Sequence, residues 1–439
     1  MYRDFAEDFH YSELKDGEWQ QAVNLGPPLN TEGNEGAASF SPDGQYVYFT
    51  ACGRREGYGD CDLYVSKLEG KKWSEPQNLG PLVNSSSWES QPCISNDGNT
   101  LYFSSNRAGG YGAHDLWATT RVNGKWTEPK NLGKELNTKG DEFCPFLASD
   151  GKTLYFSSNT HPGFGGLDLF FTKLKDGVWG KHENLGYPLN TPSSEGNIFI
   201  NSRGDIGYIN SDRLGTKGKS DIFYFELDPK IRPEFTTYVR GVVVEKGGSK
   251  PLAAKVTFIN LESGDTIREV RTNQSTGKFL LTLPVDQDYA AFVDGAKGYV
   301  FNSENFSLKG LPRDKNQFYD LKIELAPISD SVTIRLSNIF YETGKFDLKN
   351  ESRAELDHLI EFLKFNSSVK IQISAHTDDV GSDSDNLTLS KNRAGEVRKY
   401  LISKGLPEAR VVSKGYGESR PVMANDSEAH RAMNRRTEF

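Results

Sequence analysis

Basic charge, cysteine and long apolar runs are all scarce in this chain, and each shortage closes off a class of function. Lysine and arginine number 52 against 60 aspartates and glutamates, a net charge of −8. A nucleic-acid binder concentrates an excess of basic residues on one face, so that class is disfavoured. No run of about 18 apolar residues occurs, which leaves no helix able to cross a bilayer. The opening "MYRDFAEDFHYSEL" has neither a positive leader nor an apolar core. The chain is therefore expected to be cytosolic, or to be separated here from its signal segment.

The four cysteines are Cys52, Cys61, Cys93 and Cys144. None forms a C-x-x-C pair, which argues against zinc. Cys52 and Cys61 flank the loop "GRREGYGD". Two strands joined by that loop would bring them into disulfide range in an oxidising compartment; the alternative is two small buried thiols. Catalytic signatures are equally thin. The seven histidines do not cluster, and no G-x-S-x-G occurs. "SSVK" at 367–370 and "SDN" at 384–386 hint at penicillin-binding chemistry. Yet K-T-G is absent and Ser367 precedes a strand, so the pair reads as coincidence. No cofactor or metal is indicated, and no enzyme is expected.

What is present is enough apolar material, 36% of residues beside 26% charged, to build real cores. At 439 residues, roughly three domains are expected. The first half is a repeat. Trp19, Trp73, Trp126 and Trp179 recur at spacings of 54, 53 and 53. They open "WQQAVNLGPPLN", "WSEPQNLGPLVN", "WTEPKNLGKELN" and "WGKHENLGYPLN". Glu35, Glu89, Glu142 and Glu195 follow, each nine residues before a glycine. Then come "YVYFTA", "TLYFSSN", "TLYFSSN" and "IGYINSD", a Gly-rich loop, and Asp62, Asp115, Asp168 or Asp221 opening an apolar run. Three or four short strands per unit are expected.

Units of that length and content suit propeller blades. With their "SPDG" and "SNDG" turns they resemble WD-like propeller repeats of the TolB type, over about residues 1–228. The resemblance implies an all-β propeller at 1–230 with four or five blades, the chain starting inside one of them. The repeated acids are read as turn caps that hold each blade rather than as a catalytic ring, because a catalytic site needs asymmetry. The tryptophans are read as blade packing rather than sugar platforms.

"IRPEF" at 231–235 reads as a linker. Beyond it, strand runs alternate with Gly, Pro and Asn breaks, which argues a small β-sandwich. "GVVV", "KPLAAKVTF", "STGKFLLTLP" and "DYAAFVDGAKGY" resemble the carboxypeptidase regulatory-like domain, over 236–326. That family is not peptidolytic, and the segment is expected to be a spacer or docking module.

After "LAPISDS" the pattern changes again. "LKNESRAELDHLIEFLKF" places Leu356, Leu359, Ile360 and Leu363 on one helical face. "SVKIQISAH" alternates as a strand. "LTLSKNRAGEVRKYLISKGL" is a second helix with Gly405 as its stop, and "RVVSKGYGE" another strand. The order is β-α-β-α-β. Here "NIFYETGKFDL", "AHTDDVGSDSDNLTLSKNRAGEVRKYL", "GYGESRPVMAN" and "NRR" resemble the OmpA-like peptidoglycan-binding domain, over 330–439. The expected fold class is thus multidomain: propeller, sandwich and C-terminal α/β OmpA-like domain.

The resemblance implies that Asp378 of "HTD" and Arg393 of "LSxxRA" grip the diaminopimelate of the peptidoglycan stem peptide. Asn386 matches the family asparagine, Thr377 belongs to the same motif, and Arg435 or Arg436 of the closing "NRR" takes part. Ala375 departs from the family, which often has glycine there. The chemistry suits such a pair. Diaminopimelate presents an ammonium and a carboxylate on one centre, which one carboxylate and one planar guanidinium can hold. A helix N-terminus beside Arg393 would favour the anion further. On spacing alone, an Asp378–Arg393 salt bridge that stiffens the loop is the stronger reading; the surrounding motifs reverse that order. His376 is read as a packed residue. Asp379, Asp383 and Asp385 lack the order of a calcium loop and are read as solvated.

Two functions follow. One is a non-catalytic anchor: the C-terminal domain holds peptidoglycan while propeller and sandwich engage outer-membrane or periplasmic proteins. The other is a peptidoglycan-targeted hydrolase with an unrecognised site in the propeller. The domain order resembles Bacteroidota envelope proteins, among them components of type IX secretion, which implies a periplasmic, outer-membrane-associated protein.

Overall fold

The computed structural model describes residues 7–122, 124–294, 296–312, 318–329, 332–339, 341–342, 344–349 and 352–439. The expected domain limits at 1 and 330 lie outside them. The described chain is β-rich with few helices, and it divides into two compact units. The first runs through Tyr238 and includes Leu280–Pro284; the second comprises Val239–Phe279 and Val285–Phe439.

In the first unit each repeat folds into an antiparallel sheet. The first sheet contains Asn34–Phe40, Tyr46–Cys52 and Cys61–Glu69, edged by Lys72–Trp73 and Gln77–Asn78. The second is built on Glu89–Ile94, Thr100–Ser105 and Asp115–Val122, edged by Lys125–Trp126 and Lys130–Asn131. The third is built on Glu142–Leu147, Thr153–Ser158 and Asp168–Lys175, edged by Val178–Trp179 and Glu183–Asn184. The fourth has three strands only, Glu195–Ile200, Ile206–Ser211 and Asp221–Glu226. Ahead of them His10–Tyr11 pairs with Val23–Asn24.

The repeated acids hold turns. Each glutamate is buried and accepts from the backbone N–H and hydroxyl four residues before it, as Glu89 does from Ser85 at 2.7 and 2.6 Å. Arg54, Arg107 and Arg213 neutralise Glu35, Glu89 and Glu195 at 3.0, 3.1 and 3.3 Å. In the third repeat His161 takes the arginine's place, binding the Leu136 carbonyl as Arg107 binds that of Val83. Burial without that cation pushes the Glu142 carboxyl up. Each aspartate accepts backbone N–H groups of its Gly-rich loop, Tyr58 on Asp62 at 2.7 Å and Lys217 on Asp221 at 2.8 Å among them.

Asparagine supplies a strap that the sequence reading passed over. The side chain of Asn84 accepts from the Leu63 N–H at 2.9 Å and donates to the Leu63 carbonyl at 3.0 Å. Asn137 does the same to Leu116, Asn190 to Leu169 and Asn30 to Phe9. Each is the last residue of an "NLG" line and folds back 21 positions: Asn84, Asn137 and Asn190 onto the third strands of the first, second and third sheets, Asn30 onto Phe9 just ahead of His10–Tyr11. Trp126 and Trp179 pack on Tyr48 and Tyr102 of the preceding repeats, and Trp73 on Phe40. Trp19 does not follow its counterparts; it is 63% exposed. Cys52 and Cys61 face each other in register and form a disulfide. Cys93 and Cys144 are free, and burial pushes their thiols up to about 11 and about 12.

Beyond the repeats, Lys278–Pro284, Thr236–Glu245 and Phe318–Leu325 form one sheet. Thr266–Arg271, Lys255–Asn260, Asp288–Asp294 and Asn302–Ser307 form another. In the second unit, helices α1 (Ser352–Phe365), α2 (Asp383–Ser403) and α3 (Glu428–Asn434) accompany a sheet ordered Arg335–Leu336, Thr437–Glu438, Ile371–Ala375, Val411–Gly415. The last two of those strands are parallel. Leu356, Leu359, Ile360 and Leu363 are buried on the face of α1 that their spacing predicts, against Ile373, Ala394 and Val397.

Candidate functional site

The expected β-α-β-α-β order is extended by α3 and a fourth strand, Thr437–Glu438, and the local placements shift. The strand ends at Ala375, and Asp378 lies three residues beyond it. Helix α2 starts at Asp383, capped by Ser382, which accepts from the Asp385 N–H. The polar loop is therefore short. Arg393 stands in the third turn, and Asn386, not Arg393, occupies the first. The dipole argument for Arg393 is corrected accordingly.

Helix α2 buries a stripe of Asn386, Ser390, Arg393, Ala394, Val397 and Leu401. That spacing puts Arg393 on the inward face beside alanine and valine. The strand Val411–Gly415 lies directly under it. A Cβ on Gly415 would fall 2.2 Å from the Lys391 backbone nitrogen, so only glycine fits there.

Asp378 and Arg393 do not pair with each other. Asp378 Oδ2 accepts from Arg435 Nη1 at 2.5 Å, and its Oδ1 accepts from the Val380 N–H at 3.2 Å. Arg435 also reaches Glu428 at 2.6 Å. These two carboxylates hold the Arg435 guanidinium above its usual range. Arg393 is buried, donates from Nε to the Lys345 carbonyl at 3.0 Å, and lies 4.5 Å from the centre of the Tyr341 ring. Among the described residues no carboxylate makes an ion pair with it. Burial pulls the Arg393 guanidinium down, with Tyr341 and Asp378 opposing and Arg435 adding to the fall. The site is thus a paired acid and base beside a second, buried cation that has no ion-pair partner among the described residues.

The remaining expected residues frame this group. Asn386 donates to Glu418 at 2.6 Å and to the Asp378 carbonyl at 3.2 Å, fixing the loop. Thr377 donates its N–H to the Gly417 carbonyl, while its hydroxyl is buried without a partner. Arg436 is turned to other partners: it pairs with Glu438 and donates to the Arg420 carbonyl at 3.1 Å. His376 stacks on Tyr416, as a packed residue does. Burial works against the Glu438 charge, but hydrogen bonds from His376 and Arg436 prevail and hold its carboxyl down to about 2.

Tyr341, Glu418 and Glu428 escaped the sequence reading. "FYETG" holds Tyr341 and "GYGES" holds Glu418, but nothing in spacing tells which of their side chains fold onto Arg393 or Asn386.

One acid, Asp378, and two bases, Arg393 and Arg435, thus gather on one α/β layer. Residues 340–435 match the OmpA family. The C-terminal part is 35% identical over 113 residues to outer membrane porin F of Pseudomonas fluorescens, covering 26% of this chain and 34% of that protein. It is also 35% identical over 113 residues to the peptidoglycan-associated lipoprotein of Pseudomonas aeruginosa, covering 26% of this chain and 67% of that one. The solved peptidoglycan-associated lipoprotein from Burkholderia pseudomallei aligns at 28% identity and a TM-score of 0.22, over 23% of this chain and 84% of its own. This chain belongs to the OmpA family. It spans about a third of the length of the porin relatives. No described helix is long and apolar enough to cross a membrane.

Proposed function

We propose that this protein is a non-catalytic anchor of the bacterial cell envelope. Its C-terminal domain, 330–439, binds peptidoglycan through the diaminopimelate of the stem peptide. Arg393 takes the ligand carboxylate as a two-pronged fork, and Asp378, backed by Arg435, takes the ammonium. The observation that carries this reading is the buried Arg393 guanidinium, which has no ion-pair partner among the described residues. A buried cation is tolerated when something neutralises it, and a ligand carboxylate would do so here. The lipoprotein relatives are named as peptidoglycan-associated, which supports peptidoglycan as the ligand.

In this reading the repeats, 1–230, form a propeller and 236–326 a regulatory-like sandwich, and both engage protein partners. The protein works in the periplasm at the outer membrane, in the manner of type IX secretion components. The test is co-sedimentation with purified sacculi. Retention by the intact chain, lost in Arg393→Met, is expected. Release of soluble wall fragments would instead show a hydrolase.

A further inference from the structure

Each of the first three sheets finishes its third strand in one way. A short fifth strand pairs with it, Asn78 opposite Tyr64, Asn131 opposite Trp117, Asn184 opposite Phe170. The strap asparagine then clamps the peptide of Leu63, Leu116 or Leu169, and that leucine is buried. The fourth sheet has no such finish. Asp221–Glu226 ends the sheet order, and no described residue straps it. Its counterpart of those leucines, Ile222, is 79% exposed, and Tyr224 is 77% exposed.

The same face carries an aromatic row, Phe199 opposite Tyr208 and Tyr208 opposite Tyr224. The corresponding Tyr48, Tyr102 and Tyr155 are buried, two of them under Trp126 and Trp179. Natural sheet edges are blunted by lysine, proline or bulges. "DIFYFE" has none of these, and its regular pairing runs unbroken from Ile206↔Glu226 to Ser211↔Asp221.

We propose that this edge and face form a docking surface for a β-strand donated by a partner protein. The partner strand carries the chemistry that the chain uses on itself: an aliphatic residue to lie on Ile222 and Tyr224, and an asparagine whose side-chain amide clamps the Ile222 peptide from both sides. Strand addition of this kind draws affinity from main-chain bonds and specificity from alternate side chains. The interface continues one already made three times in this unit. A second copy is the poorer occupant, because all four of its straps, Asn30, Asn84, Asn137 and Asn190, are committed to their own strands. The proposal rests on the first unit being the partner-facing half, and its outcome is independent of sacculus binding.

The probe is a fluorescein-labelled peptide of residues 126–137, "WTEPKNLGKELN", titrated with the full chain and read by fluorescence anisotropy. Saturable binding is expected. An Asn137→Ala peptide should bind at least about tenfold more weakly, since a clamp of two hydrogen bonds is lost. Tyr224→Lys and Ile222→Lys in the protein should each abolish binding, with circular dichroism unchanged because both side chains are exposed. Trp19→Lys, at another exposed aromatic, should change nothing. No saturation up to about 1 mM, a strength near −4 kcal/mol, overturns the proposal. So does binding that survives Tyr224→Lys, or self-association of the free chain that Tyr224→Lys removes, which would assign the face to a second copy.

Discussion

Replacing Arg393 separates binding from folding, and the structure says how far. In Arg393→Met the protein loses one hydrogen bond to the Lys345 carbonyl and the contact with the Tyr341 ring. Those interactions are worth about 1–3 kcal/mol and about 1 kcal/mol respectively. Against that loss, the variant no longer buries a cation that lacks an acid, and methionine keeps most of the packing. The opposing effects are of similar size, so unfolding in urea should move by no more than about 1–2 kcal/mol. The bound state loses two charge-assisted bonds, about 3–6 kcal/mol together. Affinity for a diaminopimelate-containing stem peptide, measured by calorimetry, should then fall about 10²-fold to 10⁴-fold. Asp378→Ala should behave differently. It removes one of the two carboxylates that hold Arg435, leaving Glu428, and takes the nearby negative charge from Arg393, so binding is lost and stability also falls, by about 1–3 kcal/mol. The reasoning is refuted if Arg393→Met binds the peptide as the parent does, or if it unfolds more than about 3 kcal/mol more easily, which would make Arg393 a structural residue.

Three further predictions concern the scaffold. Glu355 on α1 is buried, accepts from Ser303 and Asn338, and burial pushes its carboxyl up to about 7 from an ordinary 4.5. The folded state therefore holds a proton that the unfolded state releases. Stability from this group is full below pH 4.5 and is lost as pH rises through 7, by roughly 2–4 kcal/mol. Glu355→Gln should flatten that slope in urea titrations at pH 5 and pH 8. Asn137→Ala should cost about 2–4 kcal/mol in the first unit, because the buried N–H and carbonyl of Leu116 lose their partner; Asn137→Asp should not rescue it, as a carboxylate cannot donate to the carbonyl. Reducing Cys52–Cys61, a closure of nine residues, should lower stability by about 2–3 kcal/mol in thermal scans with and without dithiothreitol.

Periodic features were legible in the sequence and three-dimensional partnerships were not. The 3.6-residue spacing of Leu356, Leu359, Ile360 and Leu363 places the α1 core correctly. The 53-residue period marks the four sheets, and the loop between Cys52 and Cys61 suggests their meeting. The early start of α2 was missed because its first turn, "DSDN", is strongly polar and reads as loop, although Ser382 is a sound cap. The site residues were legible as a set, but their pairing was not. Arg435 reaches Asp378 across 57 positions, and no local pattern records that distance. The strand Thr437–Glu438, which sits in the middle of the C-terminal sheet, is only two residues long and has no period to detect.

The backward-reaching asparagines also set an order of events as the chain arrives, amino end first, where it folds. The third strand of a repeat reaches its final hydrogen bonding only after 21 more residues have emerged, since Leu63 waits for Asn84, Leu116 for Asn137 and Leu169 for Asn190. Each sheet is locked by the segment that introduces the next one. The first unit should therefore mature in steps from its amino end, each repeat held open until its latch arrives.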